Sequence, residues 1–214
     1  MDTNNAYIGT SGWNYKHWKG VFYPKDLKEA QWLEHYVKYF NSVELNVTFY
    51  RLVDKKTFIN WRLRTPKDFI FVAKGSRYIT HMKRLKDAGQ PLELFFDNAA
   101  GLKEKLSAVL WQLPGGFKKD IERLKDFCDL LKKSGLRHVF EFRDESWFEE
   151  ETFDLLKKYK YCLCIAHSGR YPTKLKITSD YIYLRFHGGG GLYSSDYLDS
   201  DLKDWADFAR KTKL

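Results

Sequence analysis

Apolar and β-branched residues gather in seven short runs along the chain, and helical spacing fills most of the intervals between them. The runs are 7–13 (YIGTSGW), 42–50 (SVELNVTFY), 69–74 (FIFVAK), 108–112 (AVLWQ), 137–143 (RHVFEFR), 161–167 (YCLCIAH) and 181–187 (YIYLRFH). Their length and their β-branched and aromatic content predict strands. Helices are predicted near 29–40, 54–64, 91–106, 120–134, 149–159 and 201–212. The clearest is DIERLKDFCDLLKKSG, where Ile121, Leu124, Phe127, Cys128 and Leu131 form one stripe and Gly135 supplies the stop. Alternating β and α units imply a mainly parallel sheet. The fold class expected is α/β, a TIM-barrel-like (β/α) barrel in one domain over residues 1–214. A complete barrel has eight strands and about 250 residues. After DLKDWADFARKTKL an eighth strand and helix are missing, so C-terminal truncation is one expectation. The open edge invites a covering partner, such as a second copy of the chain.

Period-two alternation assigns the strand faces. In the second run Glu44 and Asn46 share a face, with Val43, Leu45 and Val47 on the other. Lys74 ends the third run and Gln112 the fourth. Glu141 and Arg143 share a face of the fifth, opposite Phe140 and Phe142. Tyr183, Arg185 and His187 alternate with Ile182, Leu184 and Phe186 in the seventh. Five strands therefore offer polar inward residues near their C-terminal ends, where barrel enzymes place their sites. Trp13, Tyr15, Trp18, Phe49, Tyr50, Trp147 and Tyr193 follow strands and are expected at the rim, where rings stack on bases or sugars. The HGGGG stretch, His187 to Gly191, lets backbone amides approach a phosphate. No G-x-S-x-G elbow accompanies it, which excludes a lipase-like oxyanion hole. No strand is followed by G-x-G-x-x-G, so a dinucleotide site has no support.

Charge adds a second theme. The net charge is +9, and residues 51–86 hold eleven Lys or Arg against Asp54 and Asp68, so the surplus is concentrated there. Such a segment suits a polyanion. No apolar run approaches the roughly 18 residues of a membrane span. The start MDTNNAYIGT lacks the basic and apolar regions of a signal peptide. Cys128, Cys162 and Cys164 sit among apolar residues, which fits buried thiols and a cytoplasmic setting without membrane contact.

Six segments now stand out together: GTSGWNYKHWKGVFYP, VELNVTFYRL, FVAKGSRYITH, WQLPGGF, FEFRDESW and YLRFHGGGG. In this order the chain resembles the YecE-like family, domain of unknown function 72, from residue 7 to about 210. The resemblance implies a TIM-barrel-like fold with a pocket at the strand C-terminal ends, and it implies no reaction. The family pattern falls on Ser11, Trp13, Tyr15, Trp18, Glu44, Asn46, Phe49, Tyr50, Lys74, His81, Gln112, Pro114, Glu141, Arg143, Trp147, Arg185, His187 and Gly188. Members usually end with a further strand, which this chain does not reach. They often carry an acid after the sixth strand, where this chain has His167 and Ser168.

Three function classes follow. The first is an enzyme of hydrolase or lyase type acting on a phosphorylated or otherwise anionic substrate. Glu44 or Glu141 is its general base, His187 its acid, and Lys74 a further catalytic group, conceivably a Schiff base. Arg143 and Arg185 hold the anion. Ser11, Trp13, Tyr15, Asn46, Tyr50, His81, Gln112, Trp147, Gly188 and Gly189 complete the substrate-binding set. Three cations in one pocket oppose a divalent ion, so neither metal nor cofactor is expected. The second class is a protein that binds or processes nucleic acid through residues 51–86 and the rim aromatics. The third is a degenerate, non-catalytic barrel acting as an interaction module.

Overall fold

The structure, a computed structural model, describes residues 6–188 and 196–212. Seven strands lie in it: β1 Gly9–Ser11, β2 Ser42–Leu45, β3 Ile70–Lys74, β4 Leu106–Gln112, β5 Arg137–Glu141, β6 Cys162–His167 and β7 Tyr183–Phe186. Their order in the sheet is the chain order, and every described pairing is parallel. Seven helices accompany them: α1 Trp32–Tyr36, α2 Val47–Tyr50, α3 Lys55–Leu63, α4 Gly89–Ala99, α5 Ile121–Lys132, α6 Glu150–Tyr159 and α7 Asp199–Lys211. This is the expected TIM-barrel-like α/β class. Among the described residues no further strand follows α7. None of the described helices is long and apolar enough to cross a membrane.

Packing groups the chain into two compact units. One comprises the residues up to Met82 together with Asp87–Leu110. The other comprises Lys83–Lys86 and the chain from Trp111 onward. In the first unit, Phe71 and Ala73 of β3, Val43 and Leu45 of β2, and Val109 of β4 are almost wholly enclosed. In β2 and β3 these are alternate residues, which share one face of each strand. Asp54 caps α3 by accepting the Thr57 amide. Gly101 lets the chain pass close to α3, because a Cβ there would meet the Lys55 carbonyl oxygen at 2.7 Å.

In the second unit the stripe read from α5 is found as expected. Leu124, Phe127, Cys128 and Leu131 are buried, and Asp120 accepts the Arg123 amide as N-cap. All three cysteines are free and buried. Burial pushes the Cys162 thiol up to about 12.

A buried polar chain ties β4 to β5. The Trp111 indole donates to His138 Nδ1 at 3.1 Å, and the Ser134 hydroxyl lies 2.9 Å from Nε2 while donating to the Leu131 carbonyl. An indole only donates, so Nδ1 is the acceptor and the proton resides on Nε2. Burial lowers the His138 pKa to about 3. The unfolded chain takes up this proton near pH 6.5, more readily than the folded one. The stability contributed by neutral His138 is therefore complete above that pH and is lost as pH falls toward 3, at about 1.4 kcal/mol per pH unit. A His138→Asn variant keeps an acceptor for Trp111 but removes the titration. Urea midpoints measured from pH 7 to 4 should fall less steeply in this variant than in the parent; parallel slopes would refute the assignment.

Candidate functional site

In the first unit the sequence-predicted residues collect at the C-terminal ends of β1, β2 and β3. Register places Ser11 opposite Glu44 and Glu44 opposite Val72. Lys74 lies two residues beyond Val72, on the same face. The Ser11 hydroxyl donates to Glu44 Oε1 at 3.0 Å. The Ser11 carbonyl accepts from the Tyr15 hydroxyl and, at 3.0 Å, from Asn46 Nδ2. Gly12 makes that turn possible. It has φ +96°, and a Cβ there would lie 2.9 Å from the Tyr15 hydroxyl. Glu44 and Lys74 are both buried. The Lys74 ammonium sits 4.4 Å from the Phe49 ring centre, and the His81 imidazole packs edge-on against the same ring at 5.0 Å.

The end of β2 differs from the expected one in a way that matters for the site. The run 42–50 is a strand only to Leu45, and Val47–Tyr50 then forms a short helix. Asn46 is already helical (φ −70°, ψ −26°), so it does not share a strand face with Glu44 as predicted. Thr48 explains the switch. Its hydroxyl lies 2.6 Å from both the Leu45 and Lys74 carbonyls, closing the turn and pinning the end of β3. Local β propensity gives way to this tertiary bond. Asn46 Oδ1 is enclosed and accepts no hydrogen bond among the described residues. Of the aromatics, Trp13 packs edge-on to Trp61 at 5.3 Å, while Tyr50 is 76% exposed. His81 lies on a single π turn, Tyr78–Met82, a form that recurs at functional positions. The stretch after it strains its backbone, with positive φ at Arg84, Leu85 and Asp87.

In the second unit a tighter group forms around Glu141 at the end of β5. Arg143 Nε donates to Oε1 at 2.7 Å, and Arg185 Nη1 donates to Oε2. Glu141 is 1% exposed. Burial alone would raise its pKa, but the charges of Arg185 and Arg143 outweigh it and the carboxyl is lowered to about 2. Register shows how β5 and β7 reach each other across β6. Val139 pairs with Cys162 and Ala166 with Arg185, so Cys164 and Ala166 are the β6 residues on the Glu141–Arg185 face. Two strand spacings span roughly 10 Å. Small side chains between them leave room for the guanidinium to cross.

His187 lies just past β7, and its amide continues the ladder to the His167 carbonyl at 2.9 Å. Its Nε2 is 3.3 Å from Arg185 Nη1. A guanidinium only donates, so Nε2 is the acceptor in this contact. The 3.8 Å approach of the same Nε2 to Glu141 Oε1 is too long for a hydrogen bond. Arg143 lies beyond the strand, which stops at Glu141, and its guanidinium stacks 4.4 Å from the Tyr171 ring centre. Gln112 is buried at the end of β4, and the next amide, Leu113, donates to the Glu141 carbonyl at 2.9 Å. Gly188 has φ +95° and donates its amide to the Tyr197 hydroxyl at 3.1 Å. Gly189 and Tyr193 lie outside the described residues.

Trp147 is a correction. It was expected at the rim, but it is fully buried, stacked on Phe142 at 4.8 Å, with its indole N–H donating to the Phe117 carbonyl. Helix-like turn residues after a strand carry no mark of whether a ring turns outward or inward. Thr48, Cys164, Ala166 and Tyr171 were missed. The first three read as ordinary strand residues, and Tyr171 sits in an aperiodic loop. The basic segment 51–86 is also partly consumed internally. Arg64 pairs with Glu34 at 2.6 Å, Arg62 donates to the Gly101 carbonyl at 3.2 Å, and Lys74 is buried. Among the described residues no group of three or more His, Cys, Asp or Glu is placed to hold a metal ion.

Comparison with known proteins bears on the family and the fold. The family model described as "Protein of unknown function DUF72" matches residues 7–213. UPF0759 protein YunF of Bacillus subtilis (strain 168) is 27% identical over 232 residues, covering 93% of this chain and 81% of that protein. UPF0759 protein YecE of Escherichia coli (strain K12) is 29% identical over 153 residues, which is 69% of this chain and 53% of that protein. The crystal structure of a DUF72 family protein from Thermotoga maritima MSB8 superposes with a TM-score of 0.84 at 31% identity, covering 96% of this chain and 86% of that one. The chain belongs to the DUF72 family, whose function is unknown.

Proposed function

We propose that the chain binds a phosphorylated or otherwise anionic substrate and that Arg143 and Arg185 of the second unit hold the anion. One observation carries this reading: two guanidinium groups are organised around a single buried carboxylate. Two cations held side by side are a charge arrangement suited to an anion. The position at strand C-terminal ends is the usual place for substrate in barrels of this class.

This reading reassigns two of the expected roles. A carboxyl lowered to about 2 is a weak base, so Glu141 is the organiser of the arginines and not the general base. His187, with Nε2 accepting from Arg185, is not poised as an acid at that nitrogen. Within the first unit, Glu44 takes the Ser11 hydroxyl and shares its sheet face with Lys74. Nucleic-acid binding through residues 51–86 is the lesser reading, because Arg62, Arg64 and Lys74 are engaged within their own unit.

Calorimetric titration with inorganic phosphate and a panel of sugar phosphates tests the proposal. Binding of at least one anion is expected, with neutral counterparts silent. Arg143→Gln should weaken it about tenfold or more, the scale of one charge-assisted contact, and should also cost stability, because Arg143 is a partner of the buried Glu141. Arg185→Gln should weaken binding and also destabilise by about 3–5 kcal/mol, because it strips a buried carboxylate of a partner. If no anion binds at millimolar concentration, or Arg143→Gln binds as well as the parent, the proposal fails. Binding to DNA or RNA that falls steeply with salt would favour the nucleic-acid reading instead.

The β6 residues supply an independent check. Ala166→Leu places a branched side chain on the face where Glu141 and Arg185 meet. It should reduce anion affinity as Arg185→Gln does, while Ala166→Ser should leave it within about twofold, since a hydroxyl adds little volume. Equal behaviour of the two variants would show that β6 does not set the clearance.

A further inference from the structure

We infer that the second unit carries a separate site for linked phosphate groups in the cleft between α5 and α6. The cleft measures about 380 Å³ and is lined by Lys125, Asp129 and Lys132 of α5 with Lys158, Tyr159 and Lys160 at the end of α6. That volume lies within the roughly 300–1,000 Å³ of small-molecule pockets. The lining carries four lysines and one acid, a formal surplus of three positive charges.

The single lining acid is already committed. Asp129 Oδ1 accepts the Tyr159 hydroxyl at 2.6 Å, and the Tyr159 ring stacks on Tyr161 at 5.5 Å. Burial, and then Asp129, raise the Tyr159 pKa, so the phenol stays protonated. Nearby lysines show what ordinary surface pairing looks like in this unit. Lys157 meets Asp154 at 2.9 Å, Lys176 meets Glu150 at 2.8 Å, and Lys119 meets Glu151 at 2.9 Å. Lys125 reaches Glu122 only at 3.7 Å. No ion pair described in the structure includes Lys132, Lys158 or Lys160. Lysines in a last helical turn offset the helix dipole, which accounts for Lys132 and Lys158. It does not account for Lys125, in the body of α5.

Lys160 is the most telling of the four. It occupies the left-handed region (φ 57°, ψ 33°) as the residue that closes α6. Glycine is the residue of least strain at such a position. The chain places a long cation there and sets it into the cleft. Ammonium groups act as point charges and suit several phosphate oxygens without demanding one planar geometry. Linked phosphates concentrate the negative charge that such a surplus of lysines requires. The cleft adjoins the N-terminal end of β6, which starts at Cys162, whereas the Glu141 group lies at the C-terminal end of β5. The two sites share no residue, so this inference does not depend on the proposed function.

The test is calorimetric titration of the full chain with inorganic tripolyphosphate at low salt. The parent should bind, and orthophosphate should bind at least tenfold more weakly. Lys160→Gly should weaken tripolyphosphate several-fold while its thermal midpoint stays the same or rises, because glycine suits that backbone. The Lys158→Ala, Lys160→Gly double variant should lose at least tenfold in affinity. ADP in place of tripolyphosphate identifies the source. Equal affinity of ADP and pyrophosphate means that phosphates alone are read, and tighter ADP means that Tyr159 contributes to a nucleoside. The inference is overturned if tripolyphosphate gives no binding at millimolar concentration or if the double variant binds within twofold of the parent. It also falls if Arg143→Gln abolishes the binding while the double variant retains it.

Discussion

A carboxylate taken out of water must be matched by cations, and at Glu141 this demand shapes three strands and two loops. The penalty of burying one charge is several kcal/mol, and breaking such a group by removing a partner costs more than its net contribution. The chain meets the demand from both sides. Arg185 comes across from β7, and Arg143 comes from just beyond the end of β5. Between them β6 presents Cys164 and Ala166, side chains small enough for a guanidinium to pass. Tyr171 then covers the Arg143 face. Small residues on β6, a charged residue on the last described strand and an aromatic in a loop all answer to one buried oxygen pair.

The consequence for chemistry is that Glu141 is excluded from the role its isolation on a strand first suggests. Two cations and burial act in opposite directions on its proton affinity, and the cations win. A group so firmly ionised orients others and does not exchange protons near neutrality. Glu44 accepts a neutral hydroxyl, that of Ser11, and the Lys74 ammonium rests over Phe49 on the same sheet face. The two acids of the motif set are thus chemically distinct, although their sequence contexts, VEL and FEF, look alike.

What could be read from the chain divides along the same physical line. Period-two alternation is a local rule, so it placed Glu44, Glu141, Arg185 and Lys74 on the polar faces of β2, β5, β7 and β3. The α5 stripe was equally legible, because it depends on residues within three turns of each other. Asn46 and Arg143 were misplaced in structure, since both strands stop earlier than their propensity suggests. Thr48 ends β2 through a bond to Lys74, 26 residues away, and no window of sequence reports that bond. Trp147 turned inward because the Phe117 carbonyl, 30 residues upstream, takes its indole proton.

Charge shows the same limit in reverse. Three of the eleven basic residues in the segment 51–86 are engaged internally: Arg64 closes on Glu34, Arg62 on a backbone carbonyl, and Lys74 lies buried beside Phe49. Four lysines that no composition window would single out, at 125, 132, 158 and 160, converge on one cleft because two helices pack side by side. Electrostatic attraction acts through distance in space, and within a few ångströms of desolvated surface it outweighs any count along the chain. For a parallel α/β fold, in which successive helices become neighbours, the charges that can act together are those on adjoining helices at matching heights. The pairing of α5 with α6 is how four lysines distant in the sequence come to line one concave surface.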